Sequence, residues 1–300
     1  MTSTTDPAWQ SYVEEQKIPV VGGMASEATF ITSPDFFPSG ANSVLQTFGA
    51  LQEAKKAGLK KFGILYCAET PVCAEVDGIG KAFSAQLGIG FTSTKISASA
   101  PDYNAPCLAL KDQGVDALFI AHNASVVNRV AESCAQNGFK PQKVSLMNGL
   151  DQTTIESPNF EGTLLSGSLA MHTDESVAGV KEYRDAVEEY NPGFTDSAGF
   201  NAITQFSWSG GKLFEAAAIQ AKLGPDSTSA DVFKGLYALK GETLGGMAPP
   251  LTFAKGKPAF PPCYFIGTIT GGELKAPQSE PVCLDEAQMG QMAELLKALA

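Results

Sequence analysis

Three short stretches of this sequence bring together polar side chains that could bind a small molecule. They are Cys67-Ala68-Glu69-Thr70, His122-Asn123 and Asn148-Gly149-Leu150-Asp151. Carboxylates, an imidazole and amides can hold the polar and charged groups of a ligand through hydrogen bonds. Each stretch directly follows an apolar run of strand length. Its position in the fold therefore depends on how those runs are arranged.

The apolar runs recur with the spacing of alternating strands and helices. They begin at Phe62, Phe91, Val115 and Val144, and each is followed by an amphipathic segment of helical length. This alternation predicts βαβ units and an α/β fold with a doubly wound parallel sheet. Such sheets bind ligands at the carboxyl ends of their strands. We therefore expect the three polar stretches to lie along one edge of the sheet.

The rest of the pattern predicts mostly helices, bounded by glycine and proline signals. Predicted helices cover Asp6–Gln16, Ala41–Ala57, Ser176–Tyr190, Ser197–Leu223, Ser229–Leu239 and Leu284–Leu299. Predicted strands cover Ile18–Val21 and Thr163–Ala170, and crossing segments are expected at Pro34–Pro38 and Pro249–Pro262.

The composition is that of a globular protein, with 300 residues of which 44% are hydrophobic and 18% charged. A chain of this length favours two lobes over one. The net charge of −11 and the lack of a basic cluster disfavour a nucleic-acid partner, because neutralising phosphates requires clustered Lys and Arg. No apolar run approaches the roughly 18 residues of a membrane span. The first residues, Met1–Pro7, lack the basic and apolar regions of a signal peptide.

The six cysteines form an even set without the Cys-x-x-Cys spacing that metal sites usually use. Of fifteen possible pairings, the predicted fold favours one that joins neighbours along the chain. In it Cys67 pairs with Cys73, Cys107 with Cys134, and Cys263 with Cys283. Disulfides would indicate an oxidising compartment. Buried free thiols in a cytosolic protein are the alternative.

No catalytic motif is complete. Gly78-Ile79-Gly80 lacks the third glycine of a dinucleotide-binding loop, and Gly211-Lys212 lacks the first glycine of a phosphate-binding loop. Ser166-Gly167-Ser168 is not a nucleophile elbow, because Leu164 stands where that motif has its first glycine. A lone histidine such as His122 is more often a hydrogen-bonding residue than a catalyst. We expect no enzyme, no cofactor and no metal.

Several small motifs carry a resemblance to a known family. They are the passage Pro7–Val21, the crossing Pro34–Pro38, Asp102-Tyr103 before Leu108–Lys111, Gly138-Phe139, Met147–Gly149, Asn191–Gly193, the aromatic helix near Phe200, and Gly246–Phe253. From Ser3 to about Gly272 the chain resembles type I periplasmic (extracytoplasmic) solute-binding proteins of ABC transporters, of the branched-chain amino-acid (Leu/Ile/Val) receptor kind. The cysteine pattern departs from those receptors and suggests a subfamily with extra disulfides.

The resemblance implies two α/β lobes joined by three crossings, with a ligand held in the cleft between them. Residues 1–37 and 162–248 would form the first lobe, and residues 38–161 and 249–300 the second. Family members begin with strands and helices that have no counterpart here, about three βα units of about 30 residues each. We therefore expect an incomplete first lobe. A secretion signal would lie further upstream, and the protein would work in the periplasm or as a cell-surface lipoprotein.

The resemblance also implies which residues would contact the ligand. From the first lobe they are Ser3 and Thr4, together with Thr2, and Met24 and Ser26; from the second they are Glu69, Thr70, His122, Asn123 and Asp151. The first set would hold a carboxylate and Asp151 an ammonium group, although Leu150 could be the aligned position. Ser3, Thr4 and Asp151 could instead cap helices, and Glu69 could be merely solvated.

The function that the resemblance implies is capture of an amino acid or similar small polar ligand for an ABC permease in the membrane. The tyrosines of the family's second lobe are absent here, which favours a more polar ligand or another small carboxylate. Two alternatives remain at this point. The chain could be a ligand-sensing receptor domain of the same fold, or a truncated remnant that binds nothing.

Overall fold

The computed structural model describes residues 6–25, 29–69, 72–197 and 199–299. The described chain begins with a small parallel sheet and its two helices. In chain order these are α1 (Asp6–Gln16), β1 (Val20–Val21), α2 (Thr29–Thr32) and β2 (Phe36–Phe37), with β1 paired to β2. The segment Pro34–Pro38, predicted as a crossing between lobes, contains this short strand at its centre, and its role as a crossing stays a prediction. Two residues are too few to show a strand periodicity.

Most of the remaining chain builds one eight-stranded sheet. Its elements in chain order are α3 (Ser43–Lys56), β3 (Lys61–Cys67), α4 (Val72–Leu87), β4 (Gly90–Ile96), α5 (Asn104–Asp112), β5 (Ala117–Ala121), α6 (Ala124–Gln136), β6 (Gln142–Leu146), α7 (Gln152–Ile155) and β7 (Leu164–Gly167). The strand order β4-β3-β5-β6-β7 is parallel throughout. The predicted α/β fold with a parallel sheet is confirmed.

The fourth βα unit has a much shorter helix than the other three. After β6 the chain forms a 3₁₀ turn at Met147–Gly149 and then the single helical turn α7. Pro158 follows closely and begins another 3₁₀ turn. Because a proline disfavours helical geometry in the residue before it, the helix ends early.

Helices cover both faces of the large sheet. Neighbouring residues of β3 show this, because Ile64 packs in the cluster that contains Phe48 and Phe83 of α3 and α4. Leu65, which points to the other face, packs in the cluster that contains Leu110 of α5. Successive side chains of a strand point to opposite faces, so the sheet is doubly wound.

The chain after β7 is mainly helical and returns to the large sheet near its end. It comprises α8 (Ala178–Tyr190), α9 (Ala202–Ala221), α10 (Ser229–Ala238), the hairpin β8 (Lys240–Glu242) and β9 (Leu251–Thr252), then β10 (Cys263–Thr270), β11 (Glu273–Lys275), β12 (Val282–Cys283) and α11 (Glu286–Leu299). Strand β10 runs antiparallel to β7, β11 and β12. None of the described helices has the length and apolar character that crossing a membrane requires.

Helix α9 packs directly against the loop that follows β1. The backbones meet at Gly22 and Gly210, where a Cβ on Gly22 would lie 2.2 Å from the Cα of Gly210. Gly22 also has a φ of +74°, which L side chains rarely adopt. This close approach fixes the loop carrying Met24 relative to α9.

All three predicted disulfides are present, which confirms the pairing. Cys67–Cys73 ties the end of β3 to the first turn of α4, Cys107–Cys134 joins α5 to α6, and Cys263–Cys283 joins β10 to β12. The strand and turn after Cys263 were predicted, whereas β12, with two residues, was not. There are no free cysteines among the described residues.

Candidate functional site at the carboxyl edge of the sheet

Glu69 joins the carboxyl ends of three neighbouring strands. Its Oε1 accepts hydrogen bonds from the Ser97 hydroxyl at 2.9 Å and from the Ala98 N–H at 2.7 Å, both just beyond β4. Its Oε2 lies 3.4 Å from Nε2 of His122, just beyond β5. The structure therefore brings together Glu69 and His122, two residues predicted from strand ends 53 positions apart in sequence order.

The carboxylate of Glu69 is held in its charged form. The Ala98 N–H, and after it the Ser97 hydroxyl, lower the pKa of Glu69 from 4.5 to about 2. Hydrogen bonds to a carboxylate favour ionisation in this way. Since Oε1 already accepts two hydrogen bonds, Oε2 is the oxygen with capacity for a further partner.

The imidazole of His122 is oriented by its own backbone. Nδ1 accepts the N–H of Asn123 at 2.9 Å, so in the neutral ring the proton is on Nε2. Nε2 is buried, and it approaches Glu69 at an ion-pair distance without the alignment of a hydrogen bond. The His122 side chain is only 6% exposed, whereas that of Glu69 is 40% exposed. The pair therefore exposes the carboxylate of Glu69 to solvent beside the nearly buried ring of His122.

The loop after β4 is clamped against α6. Arg129 donates to the Ala98 carbonyl at 3.1 Å and to the Ala100 carbonyl. Its guanidinium lies 5.2 Å from the centre of the Tyr103 ring, and the Tyr103 hydroxyl donates to the Ser97 carbonyl at 2.9 Å. These contacts hold the groups that bind Glu69 in place.

Asn123 and Asp151 both cap helices. Oδ1 of Asn123 accepts the Val126 N–H at 3.2 Å at the start of α6. Oδ1 of Asp151 accepts the Thr154 N–H at 2.9 Å and the hydroxyls of Thr153 and Thr154, each at 2.8 Å. Burial has the largest effect on the pKa of Asp151 and raises it, but these hydrogen bonds together lower it. The capping alternative for Asp151 is thus the arrangement found, and its role towards an ammonium group stays a prediction.

Met24 meets the large sheet at Asn148. The Asn148 Nδ2 donates to the Met24 Sδ at 3.5 Å, across 124 positions of sequence. Met24 lies in the loop after β1, and Asn148 lies two residues after the end of β6. Oδ1 of Asn148 is buried without a hydrogen-bond partner among the described residues. The sequence-based selection passed over Asn148 for Asp151, although a position directly after a buried strand was the signal that identified His122.

A small cavity of about 10 Å³ lies beside Asn148. Its lining includes Met171, His172, Gln205 and Phe206. Burial, followed by the positive charge of Arg184, lowers the pKa of His172 from 6.5 to about 4. His172 is therefore neutral at neutral pH.

A much larger groove lies away from these residues. It has a volume of about 800 Å³ and is bordered by Phe233 and Tyr237 of α10 and by Lys17 and Pro34. Lys17 and Pro34 precede β1 and β2, so the groove lies at the amino ends of the small sheet. Ligands of such folds bind at carboxyl ends, and no predicted site residue borders the groove. We therefore place the candidate site at the Glu69–His122 edge.

The predicted residues Thr2, Ser3, Thr4, Ser26 and Thr70 lie outside the described part of the chain. Of the remaining predicted residues, Glu69 and His122 are in contact with each other. Met24 contacts Asn148, and Asn123 and Asp151 cap the helices that follow β5 and β6.

Comparisons with known proteins identify a family from the sequence and similar folds among solved structures. A sequence model described as periplasmic binding protein matches residues 1–273. A search of curated proteins finds no match. A solved branched-chain amino-acid ABC transporter protein from Thermus thermophilus with bound valine has a TM-score of 0.80 at 14% identity, over 99% of this chain and 78% of that one.

Two further solved structures are similar. A fatty acid ABC transporter substrate-binding protein from Thermomonospora curvata has a TM-score of 0.75 at 17% identity, over 99% of this chain and 74% of that one. A leucine-binding protein from Thermotoga maritima has a TM-score of 0.74 at 13% identity, over 93% of this chain and 77% of that one. Likeness at these identities shows the fold alone, whereas the family model matches most of the sequence. This chain belongs to the periplasmic binding protein family.

Proposed function

We propose that this protein is the extracytoplasmic substrate-binding component of an ABC importer, and that it captures an amino acid or similar small polar ligand without altering it chemically. The observation that carries the proposal is the Glu69–His122 pair at the joined ends of β3, β4 and β5. A carboxylate kept ionised beside an imidazole suits recognition of a polar ligand. Solved relatives named for valine, leucine and fatty acid support a carboxylate ligand without specifying which one.

The ligand would lie between two lobes. Residues 1–37 and 162–248 would form the first, and residues 38–161 and 249–300 the second. Strand β7 starts two residues after the boundary at 162 and pairs with β6 and β10 of the large sheet. The crossing that follows Gly162 would therefore come after β7.

Closure of the lobes would drive function. A ligand that contacts both lobes shifts the equilibrium between open and closed forms by its extra contacts in the closed one. The contact between Met24 and Asn148 joins the loop after β1 to the end of β6, and so would lie on the closing surfaces. A permease would then recognise the closed form.

Each side of the site would bind different groups of the ligand. Met24 and Ser26, with Thr2, Ser3 and Thr4, would hold its carboxylate. On the other side His122 and Asn123, with Glu69, Thr70 and Asp151, would hold its remaining polar groups. Glu69 Oε2 is the carboxylate oxygen best placed for a positively charged group, since Oε1 is occupied.

An extracytoplasmic location fits both the family and the disulfides. Disulfides persist in oxidising compartments such as the periplasm and the cell surface. The three bonds Cys67–Cys73, Cys107–Cys134 and Cys263–Cys283 would be stable there. The partners would be the ligand and a membrane permease, with no nucleic acid.

Binding can be tested by calorimetric titration with L-leucine, L-valine and decanoate. The proposal predicts saturable binding of at least one of them and at least tenfold weaker binding by His122→Ala. Tyr190→Ala is the matched control, because Tyr190 is 82% exposed on α8. Equal affinity of His122→Ala and the control would contradict the site, and no binding of any of the three would contradict the function.

A further inference from the structure

The groove bordered by α10 has the dimensions of a small-molecule site. Its volume is about 800 Å³, and sites for small ligands commonly have about 300–1,000 Å³. It follows one face of α10, because its lining residues on that helix recur every four positions, from Ser229 through Phe233 to Tyr237. This interval corresponds to about 12 Å of helix. We call this feature the α10 groove.

Two aromatic rings of α10 line the groove. The rings of Phe233 and Tyr237 are stacked, with their centres 5.9 Å apart and their planes at 23°. Both pack against the buried ring of Phe37 in β2, at 5.7 Å and 5.8 Å. Contact with this third ring holds the pair in place, so an aromatic ligand would meet a preformed surface. Pairs of aromatic rings gain energy beyond the area that they bury.

The carboxylate of Asp35, which also lines the groove, already has a positive charge beside it. Asp35 is 7% exposed. Burial has the largest effect on the pKa of Asp35 and raises it, whereas the positive charge of Lys17 lowers it. Lys17 also lies near enough to Glu14 to lower the pKa of that carboxyl. The charge of Lys17 is thus balanced by these two carboxylates.

Lys234 and Lys255 give the groove its remaining positive charge. Both are exposed residues of its lining. Neither ammonium group lies within 4 Å of a carboxylate oxygen among the described residues. Hydrogen bonds from Thr228 have the largest effect in lowering the pKa of Asp231, and the charge of Lys234 adds to them. In a chain of net charge −11, two cations beside an aromatic surface suit an anionic ligand.

We propose that the α10 groove binds an amphipathic anion with an aromatic body. Lys234 and Lys255 hold the acidic group, and the body packs against Phe233 and Tyr237. A lysine ammonium is a compact charge without the planar fork of arginine, so the acidic group can be a carboxylate, a sulfonate or a phosphate. This site is separate from the one at the carboxyl edge of the large sheet, and the inference does not depend on the proposed function.

Three probes that share one aromatic body test the charge preference by calorimetric titration. They are 2-naphthoate, 2-naphthalenemethanol and 2-naphthylmethylammonium. We expect 2-naphthoate to bind saturably and at least tenfold more tightly than the ammonium probe. Its affinity should fall at higher salt, because salt screens charges at the surface. Equal affinity of the three probes, or no saturable binding of 2-naphthoate, would overturn the inference.

Substitution of the two lysines tests where the probe binds. Lys234→Glu/Lys255→Glu should weaken 2-naphthoate binding at least tenfold with little change in Tm, since both positions are exposed. Lys81→Glu makes the same change at an exposed position of α4 and should keep the affinity within twofold. If the double variant is unstable, Lys234→Gln/Lys255→Gln removes the charges alone and should still weaken binding at least threefold. Unchanged affinity in the folded lysine variants would contradict the proposal.

His122→Ala distinguishes the α10 groove from the site at the carboxyl edge. We expect 2-naphthoate to bind His122→Ala as tightly as it binds the unmodified protein. Loss of 2-naphthoate binding in His122→Ala, with unchanged binding in the lysine variants, would show that the probe occupies the other site. That result would overturn the inference and leave the proposed function standing. A failure of amino acids to bind, with 2-naphthoate bound as described, would contradict the proposed function alone.

Discussion

Oε2 of Glu69 lies 3.4 Å from Nε2 of His122, while Oε1 of the same carboxylate binds the Ser97 hydroxyl and the Ala98 N–H. One side chain thus connects the ends of three adjacent strands. The contact matters because it links a charged, accessible group to a nearly buried ring at the edge where doubly wound sheets bind ligands.

The Glu69 contacts predict a dependence of stability on acidic pH. The pKa of Glu69 is about 2 in the folded protein against an ordinary 4.5. Its contribution to stability is therefore complete above about pH 4.5 and is lost as the pH falls towards 2. Glu69→Gln should lower the free energy of unfolding at pH 6. Between pH 4.5 and 2, its free energy of unfolding should fall less than that of the unmodified protein. Denaturant titrations between pH 2 and 6 measure this.

The matched control for Glu69→Gln is Glu189→Gln, an exposed position on α8. It should reproduce the pH profile of the unmodified protein. If Glu69→Gln follows that same profile, the hydrogen bonds to Glu69 do not hold its charge.

The lowered pKa of His172 predicts a second pH range in which the stability of the fold changes. Its pKa is about 4 in the folded protein against an ordinary 6.5, because the charged ring is disfavoured by burial and by Arg184. The unfolded chain binds the proton more readily in this window, so stability falls as the pH drops from 6.5 to 4 and then levels off. The full effect is about 3 kcal/mol. His172→Phe keeps a ring against Phe200, 5.4 Å away in the native protein, and should remove this window. A decline of the same size in His172→Phe would be contrary evidence.

The three disulfides should differ in what their removal costs. Cys67–Cys73 closes 6 positions of sequence and Cys107–Cys134 closes 27. Loop-closure entropy then gives roughly 2 kcal/mol for the first and roughly 3.5 kcal/mol for the second. The loop of the first carries Glu69. Replacing both of its cysteines by serine should therefore weaken ligand binding more than the corresponding change at Cys107 and Cys134. Calorimetry measures ligand binding and denaturant titration measures stability for these two double variants and for a third, Cys263→Ser/Cys283→Ser. A greater loss of binding in the Cys107/Cys134 variant or the Cys263/Cys283 variant than in the Cys67/Cys73 variant would contradict a site at Glu69.

Two substitutions at Asp151 distinguish its role as a helix cap from its role as a negative charge. Asp151→Ala removes the acceptor at the start of α7 and should destabilise the protein by about 1 kcal/mol. Asp151→Asn keeps an acceptor oxygen and should restore most of that stability. Asp151→Asn also removes the charge proposed to face an ammonium group of the ligand, so we expect it to weaken ligand binding about tenfold, measured by titration with the tightest-binding probe. Unchanged affinity would show that Asp151 acts as a helix cap alone.

The sequence was sufficient to predict the large sheet, because strands such as β3 and β5 have clear apolar runs and each is followed by a helix. It also predicted the disulfides, since Cys263 and Cys283 flank a recognisable strand and turn, and the structure pairs them in register. The strands β1, β2 and β12 each have two residues, too few for a periodic signal.

The site was only partly predictable for a different reason. Positions after strands identified Glu69 and His122, but the partners of Glu69 at Ser97 and Ala98 come from a separate βα unit. The hydrogen bond from Asn148 to Met24 joins two loops that no local pattern connects. Contacts between distant segments follow from packing, and a strand-end pattern contains no information about them.

The most direct test of the central claim uses the scarcity of histidine. The chain has two, His122 and His172, so the imidazole region of a heteronuclear NMR spectrum contains two ring systems, which His122→Ala assigns. Titration with the probe that binds in calorimetry should shift the His122 resonances and saturate at the calorimetric stoichiometry. Saturable binding that leaves both His122 ring nitrogens unshifted would contradict a site at the carboxyl edge of the sheet.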